Sequence, residues 1–136
     1  MAQLMNGKQL SADIRAELSV ECQKLIREKG ITPGLAVIIV GEDPASRVYV
    51  RNKKLACEEI GFYSESYELP AETTQAQLEE LVDALNENPK IHGILVQLPL
   101  PAHLDGNRVL LRIDPRKDVD AFHPTNVGHI MIGDYT

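Results

Sequence analysis

The sequence predicts an α/β domain of three αβα layers with a mostly parallel sheet. Two short runs, residues 35–40 and 91–98, are apolar without alternation, as strands buried on both faces are. Helix-period segments alternate with strands in the order α-β-α-β-α-β-α, which favours helices on both faces of a parallel sheet. A chain of 136 residues, 43% hydrophobic and 25% charged, is enough for one core and too short for two comfortable ones.

From residue 8 to residue 29, Leu10, Ile14, Leu18, Cys22 and Leu25 recur at helical spacing, and Gly30 supplies the stop. Pro33-Gly34 reads as a turn before the first strand. Asp43 followed by Pro44 is a cap and first-turn pair for a helix reaching about Ile60, closed by Gly61. Residues 62–69 alternate as a strand does, and Pro70 ends them. Thr74 and Gln77 have capping-box spacing ahead of Leu78, Leu81, Val82 and Leu85. Asn88-Pro89 breaks that helix, and Pro99-Leu100-Pro101 cuts off the strand at 91–98. A short helix through Val109, Leu110 and Leu111 leads to a turn at Asp114-Pro115. Residues 121–136 show no clear element, and the chain reads as if cut short.

Charge and composition exclude several functions. Fourteen basic against twenty acidic side chains give a net charge of -6, which argues against non-specific binding to nucleic acid or anionic membrane. No apolar run approaches the roughly 20 residues of a membrane span. The amino terminus lacks the basic and apolar segments of a signal peptide. Cys22 and Cys57 show neither CxxC spacing nor a disulfide framework, and read as reduced thiols of a cytoplasmic protein. His92, His103, His123 and His129 have no metal-ligand spacing, so no metal is expected.

The second helix is the most informative segment. At 100° per residue, Arg47, Arg51, Lys54 and Glu58 share a sector roughly 60° wide, a solvent face. Lys53 falls outside it, among Ser46, Tyr49, Val50, Ala56, Cys57 and Ile60. Two readings stand: a lysine that snorkels out from the edge of an apolar face, or a partly desolvated amine whose charge is costly unless used or paired. Ser46, Tyr49 and Lys53 at i, i+3 and i+7 project into one patch. Gln97, near the carboxyl end of an apolar strand, stands where ligands sit in parallel sheets and needs a partner, either a loop backbone or a ligand. In Lys117-Asp-Val-Asp120, charges beside Asp114-Pro115 are usually a solvated turn, and Asp118 reads as no more than that. No G-x-G-x-x-G or Walker-type phosphate loop is present.

Four segments in order carry a resemblance: Pro33-Gly-Leu-Ala-Val-Ile-Ile-Val-Gly41, Asp43-Pro-Ala-Ser-Arg-Val-Tyr-Val-Arg-Asn-Lys53, Gly93-Ile-Leu-Val-Gln-Leu-Pro-Leu-Pro101 and Lys117-Asp-Val-Asp-Ala-Phe-His-Pro124. Together they resemble the bifunctional methylenetetrahydrofolate dehydrogenase/methenyltetrahydrofolate cyclohydrolase (FolD) family. Ala121 departs from the glycine usual there. The resemblance implies an amino-acid-dehydrogenase-like amino-terminal domain, with residues 1–121 as the folate-binding catalytic domain. Residues 122–136 would begin the connection to a Rossmann-like nicotinamide-binding domain, absent here.

It further implies Lys53 as the catalytic lysine, Tyr49 as the residue stacking on the pterin, and Gln97 as the amide that hydrogen-bonds the lysine. Asp120 would anchor the pterin, and Ser46, Leu98, Pro99 and Pro101 would line the same cleft. The implied activity is NADP-dependent oxidation of 5,10-methylenetetrahydrofolate to the methenyl form, then hydrolysis to 10-formyltetrahydrofolate, in a cytoplasmic homodimer serving one-carbon metabolism and purine biosynthesis. NADP would be held mainly by the absent domain. Two alternatives remain. Tyr49-x-x-x-Lys53 also occurs in short-chain dehydrogenases, although Gly41-Glu-Asp-Pro-Ala45 suits pyrophosphate poorly. The chain by itself could also be a catalytically incomplete folate-binding and dimerisation module.

Overall fold

The computed structural model describes residues 4–135. Residues 1–3, where the amino-terminal reading begins, and residue 136 lie outside the described residues. The elements are α1 (Gly7–Lys29), β1 (Gly34–Val40), α2 (Pro44–Ile60), β2 (Tyr63–Leu69), α3 (Gln75–Glu87), β3 (Gly93–Val96), α4 (Gly106–Arg112) and α5 (Pro124–Ile132). The strands form one parallel sheet in the order β2-β1-β3.

β1 is central, which is why its sequence does not alternate. Ala36, Ile38 and Val40 pack with Leu78, Val82 and Leu85 of α3 and Val109 of α4. Val37 and Ile39 turn the other way, onto Val50 of α2 and Leu95 of β3. The sheet therefore lies between α3/α4 and α2, with α1 packed against α2, and the three-layer expectation holds. Gly34 opens β1 where a β-carbon would lie 1.9 Å from the Lys90 carbonyl oxygen, so close approach rather than turn conformation requires glycine there.

The caps follow the sequence signals. Asp43 accepts the Ser46 N–H at 2.7 Å with Pro44 opening α2, and Thr74 and Gln77 form a reciprocal capping box on α3. Lys117 serves the far end of α3, its ammonium donating to the carbonyls of Leu85 at 3.0 Å and Asn88 at 2.9 Å. Each of these carbonyls at the helix end also accepts a backbone N–H, from Asn88 and Ile91 respectively, and the ammonium adds a charge where the helix dipole is negative.

Three expectations need correction. β3 is shorter than 91–98, because its pairing with β1 runs only from Leu35↔Gly93 to Ile38↔Val96. The α1 stripe is covered only from Cys22 onward; Leu10, Ile14 and Leu18 are exposed. Residues 121–136 are not featureless, since they hold α5, capped by His123, opened by Pro124 and closed by Gly133.

Candidate active site

Lys53, one turn along α2 from Tyr49, reaches the residue that follows the end of β3. Its ammonium donates to Gln97 Oε1 at 3.0 Å. Gln97 is fixed on both sides: its backbone N–H donates to the Ile38 carbonyl at 2.8 Å, and its Nε2 donates to the Leu98 carbonyl at 3.0 Å. With the amide N–H group engaged, the amide oxygen faces the lysine. The Lys53 nitrogen also lies 5.6 Å from the centroid of the Tyr49 ring, within cation–π reach. That ring is 59% exposed, a flat face open to solvent.

The third member arrives from a distant segment. The Lys117 carbonyl accepts the Ile94 N–H at 2.7 Å, and Asp118 forms a parallel bridge with Ile94, so residues 117–118 run as a stub beside β3. Val119 packs onto Gly93, and Asp120 then reaches the carboxyl edge. A cleft of about 190 Å³ results, lined by Lys53, Leu95, Val96, Gln97, Leu98, Asp120 and Phe122. It lies outside the carboxyl ends of the strands, where parallel sheets hold ligands. Desolvation on its cleft side raises the Asp120 carboxyl above its ordinary value; Lys53 pulls it down and Asp118 adds to the rise.

Lys53, Gln97, Leu98 and Asp120 are thus brought together, with Tyr49 beside the lysine. Ser46 shares the helix face but is buried within the first turn of α2, beside the Asp43 cap, and does not line the cleft. Pro99 follows a cis peptide bond, and Pro101 braces the β1–α2 turn near Gly41; neither lines the cleft.

Leu95, Val96 and Phe122 are the lining residues that sequence reasoning missed; the first two were read only as strand, and for Phe122 an aromatic side chain two positions from Asp120 was the available signal. Asp118 is not merely a solvated turn. Its carboxylate accepts the His123 N–H at 2.8 Å and the Asn126 side-chain amide at 2.9 Å, tying α5 to the loop.

The histidines and cysteines have local roles. His92 Nδ1 accepts the Gly34 N–H at 3.0 Å, and His103 Nε2 donates to the Thr73 carbonyl at 2.8 Å. Cys22 and Cys57 are free and buried, and burial with Glu58 nearby pushes the Cys57 thiol up. Among the described residues no three His, Cys, Asp or Glu side chains group as metal ligands would, and no helix is long and apolar enough to cross a membrane.

The β1–α2 turn does not suit the pyrophosphate of a dinucleotide. At the β1–α2 turn, where a phosphate-binding loop would stand, the Asp43 carboxylate already occupies the helix end. Its bond to Ser46 holds its own pKa below the ordinary value. Pro44 offers no N–H there, so a pyrophosphate would meet negative charge and a missing donor.

Fold and cleft together define an α/β domain with a lysine–amide pair at the carboxyl edge of its parallel sheet. Residues 5–120 match the family of the tetrahydrofolate dehydrogenase/cyclohydrolase catalytic domain, and the chain belongs to that family. The bifunctional protein FolD of Moorella thermoacetica is 59% identical over 133 residues, covering 98% of this chain and 47% of that protein. The crystal structure of the bifunctional enzyme FolD from Campylobacter jejuni matches with a TM-score of 0.94 at 48% identity, over 98% of this chain and 47% of that one. The Trypanosoma brucei FolD structure, complexed with NADP cofactor and inhibitor, gives a TM-score of 0.94 at 43% identity, over 99% and 46%. The chain spans about half the length of the curated relatives it matches.

Proposed function

We propose that this chain is the folate-binding catalytic half of an enzyme that oxidises 5,10-methylenetetrahydrofolate and hydrolyses the methenyl product to 10-formyltetrahydrofolate. The observation that carries the reading is the Lys53–Gln97 hydrogen bond of 3.0 Å in a cleft shared with Asp120. The Asp120 carboxylate is a paired acceptor for the adjacent N–H groups of a pterin. The exposed Tyr49 ring is a platform for its flat face.

Hydrolysis needs water to add to the methenyl carbon and lose a proton, and one carbon–nitrogen bond to break as that nitrogen gains one. Lys53, oriented by Gln97, is the group placed to carry the proton between the two. Oxidation in this reading uses NADP, whose pyrophosphate the β1–α2 turn of the described residues does not suit. No hydride step is therefore assigned to them. The whole protein acts as a cytoplasmic homodimer in one-carbon metabolism that supplies purine biosynthesis, without a metal, as the resemblance implies.

For residues 1–136 alone the reading is narrower: a folate-binding module with no dehydrogenase activity and at most a trace of hydrolysis, in keeping with a chain that spans about half the length of the relatives it matches. The test compares cofactor reduction and methenyltetrahydrofolate hydrolysis by this chain and by the full-length protein. Full-length activity with neither reaction restored by the short chain is expected. Equal turnover from both would overturn the assignment of the missing half.

A further inference from the structure

The helix face read as solvated from sequence forms one wall of a second groove. α2 lies across the sheet, with the Lys53 cleft on its β3 flank. On its β2 flank a groove of about 310 Å³ is lined by Arg47, Arg51 and Lys54 of α2 and by Ser66 and Glu68 of β2. Its floor is Ile39 and Val50, which are 3% and 6% exposed.

Three cations therefore face one carboxylate over an apolar floor, in a chain whose net charge is -6. Arg47 pairs at 3.0 Å with Glu42, whose side chain is 83% exposed, so that pair is largely screened. Among the described residues, Arg51 and Lys54 form no side-chain hydrogen bond or ion pair. Opposite them, Ser66 offers a hydroxyl from the edge strand. A concave wall of unpaired cations over low-dielectric side chains focuses positive potential, and the strongest partner for it is a compact, multiply charged anion.

We infer that this groove binds a small oxyanion carrying two or more negative charges, with Arg51 and Lys54 as its principal contacts and Ser66 as a hydrogen-bond donor. Glu68 works against the anion and sets a ceiling on affinity. The groove lies on the opposite flank of α2 from the Lys53 cleft, and the inference does not depend on which reaction that cleft performs.

The experiment uses isotopically labelled full-length protein at low ionic strength, titrated separately with pyrophosphate and with tricarballylate. Amide and arginine side-chain resonances report where each anion lands. Saturable shifts centred on Arg51, Lys54 and Ser66 are expected. The Arg51→Gln/Lys54→Gln double variant should bind about tenfold more weakly or worse, and Glu68→Gln about threefold more tightly, as removal of attractive and repulsive charges requires. Tighter pyrophosphate binding assigns the groove to phosphate-bearing ligands, and tighter tricarballylate binding to polycarboxylates. All three positions are exposed, so far-UV circular dichroism should confirm folded variants. Non-saturating shifts, shifts centred elsewhere, or a double variant that binds as well as the parent would overturn the inference.

Discussion

Val119 lies against Gly93 so closely that a β-carbon on the glycine would stand 2.5 Å from Val119 Cγ1. The contact sets how near the segment carrying Asp120 comes to β3. A missing side chain in a strand thus positions the Asp120 carboxylate in another part of the chain. Gly93→Ala should push Val119 outward and move Asp120 with it. Overpacking of this kind costs about 1–3 kcal/mol of stability. Urea denaturation should show that loss, and folate affinity measured in parallel should fall about tenfold, the effect of roughly 1.4 kcal/mol. Unchanged affinity in a destabilised variant would detach Asp120 from the Gly93 contact.

Lys53→Met keeps the length of the side chain and removes the donor to Gln97. If the amine carries the proton in hydrolysis, cyclohydrolase turnover in the full-length protein should drop by about 100-fold or more, the usual scale for a proton-transfer group. Asn52→Ala, one position earlier and exposed, should leave turnover near the parent value. A Lys53→Met enzyme with near-normal hydrolysis would leave the lysine a binding role only.

Asp120→Asn replaces an acceptor with an N–H group that faces the pterin donors. A mismatch of this type costs about 1–3 kcal/mol, a loss of roughly 5- to 150-fold in folate affinity by calorimetry. The pH dependence has a defined sign. The folded-state pKa of Asp120 is raised above 3.8, so between that value and the raised one the native state holds more protons than the unfolded state. The group's contribution to folding stability is therefore lost as pH rises through this window. Ligand binding runs the other way, since the ionised carboxylate is the acceptor, and affinity should fall as pH drops through the same window. At neutral pH Asp120→Asn should be no less stable than the parent while binding worse, and a variant that loses both would assign Asp120 a structural role instead.

Ala121 has φ 55, the left-handed region, between two cleft residues. That conformation costs an L-residue about 1–2 kcal/mol, partly offset in a glycine variant by about 0.5–1 kcal/mol of extra chain entropy. Ala121→Gly should raise the urea midpoint modestly, with folate affinity retained. A lower midpoint would mean that the alanine methyl makes compensating contacts.

Much of the fold was legible because local signals and tertiary packing agree. The apolar run of β1 reflects burial on both faces, and Asp43-Pro44 and Thr74-Gln77 are caps that act within one turn. Lys53 was separable from Lys54 because a helix fixes direction within about 100° per residue. α5 was missed for a physical reason: none of its residues is buried, so it has no apolar stripe covered by the core, and only its caps mark it. The brace by Asp118, the left-handed Ala121 and the place of Phe122 depend on contacts with β3 and α5, which local spacing does not encode. Ser46 went the other way; its helical phase is right, but it is buried and engaged by the Asp43 cap in the first turn of α2.

Residues 117–118 are fastened at both ends, Lys117 to the carbonyls closing α3 and to Ile94, Asp118 to His123 and Asn126. A ligand entering the cleft therefore meets a carboxylate carried by a segment whose freedom was surrendered when the domain folded. Little ordering entropy is left to lose on association, so more of the contact free energy with Asp120 and Gln97 is retained as affinity.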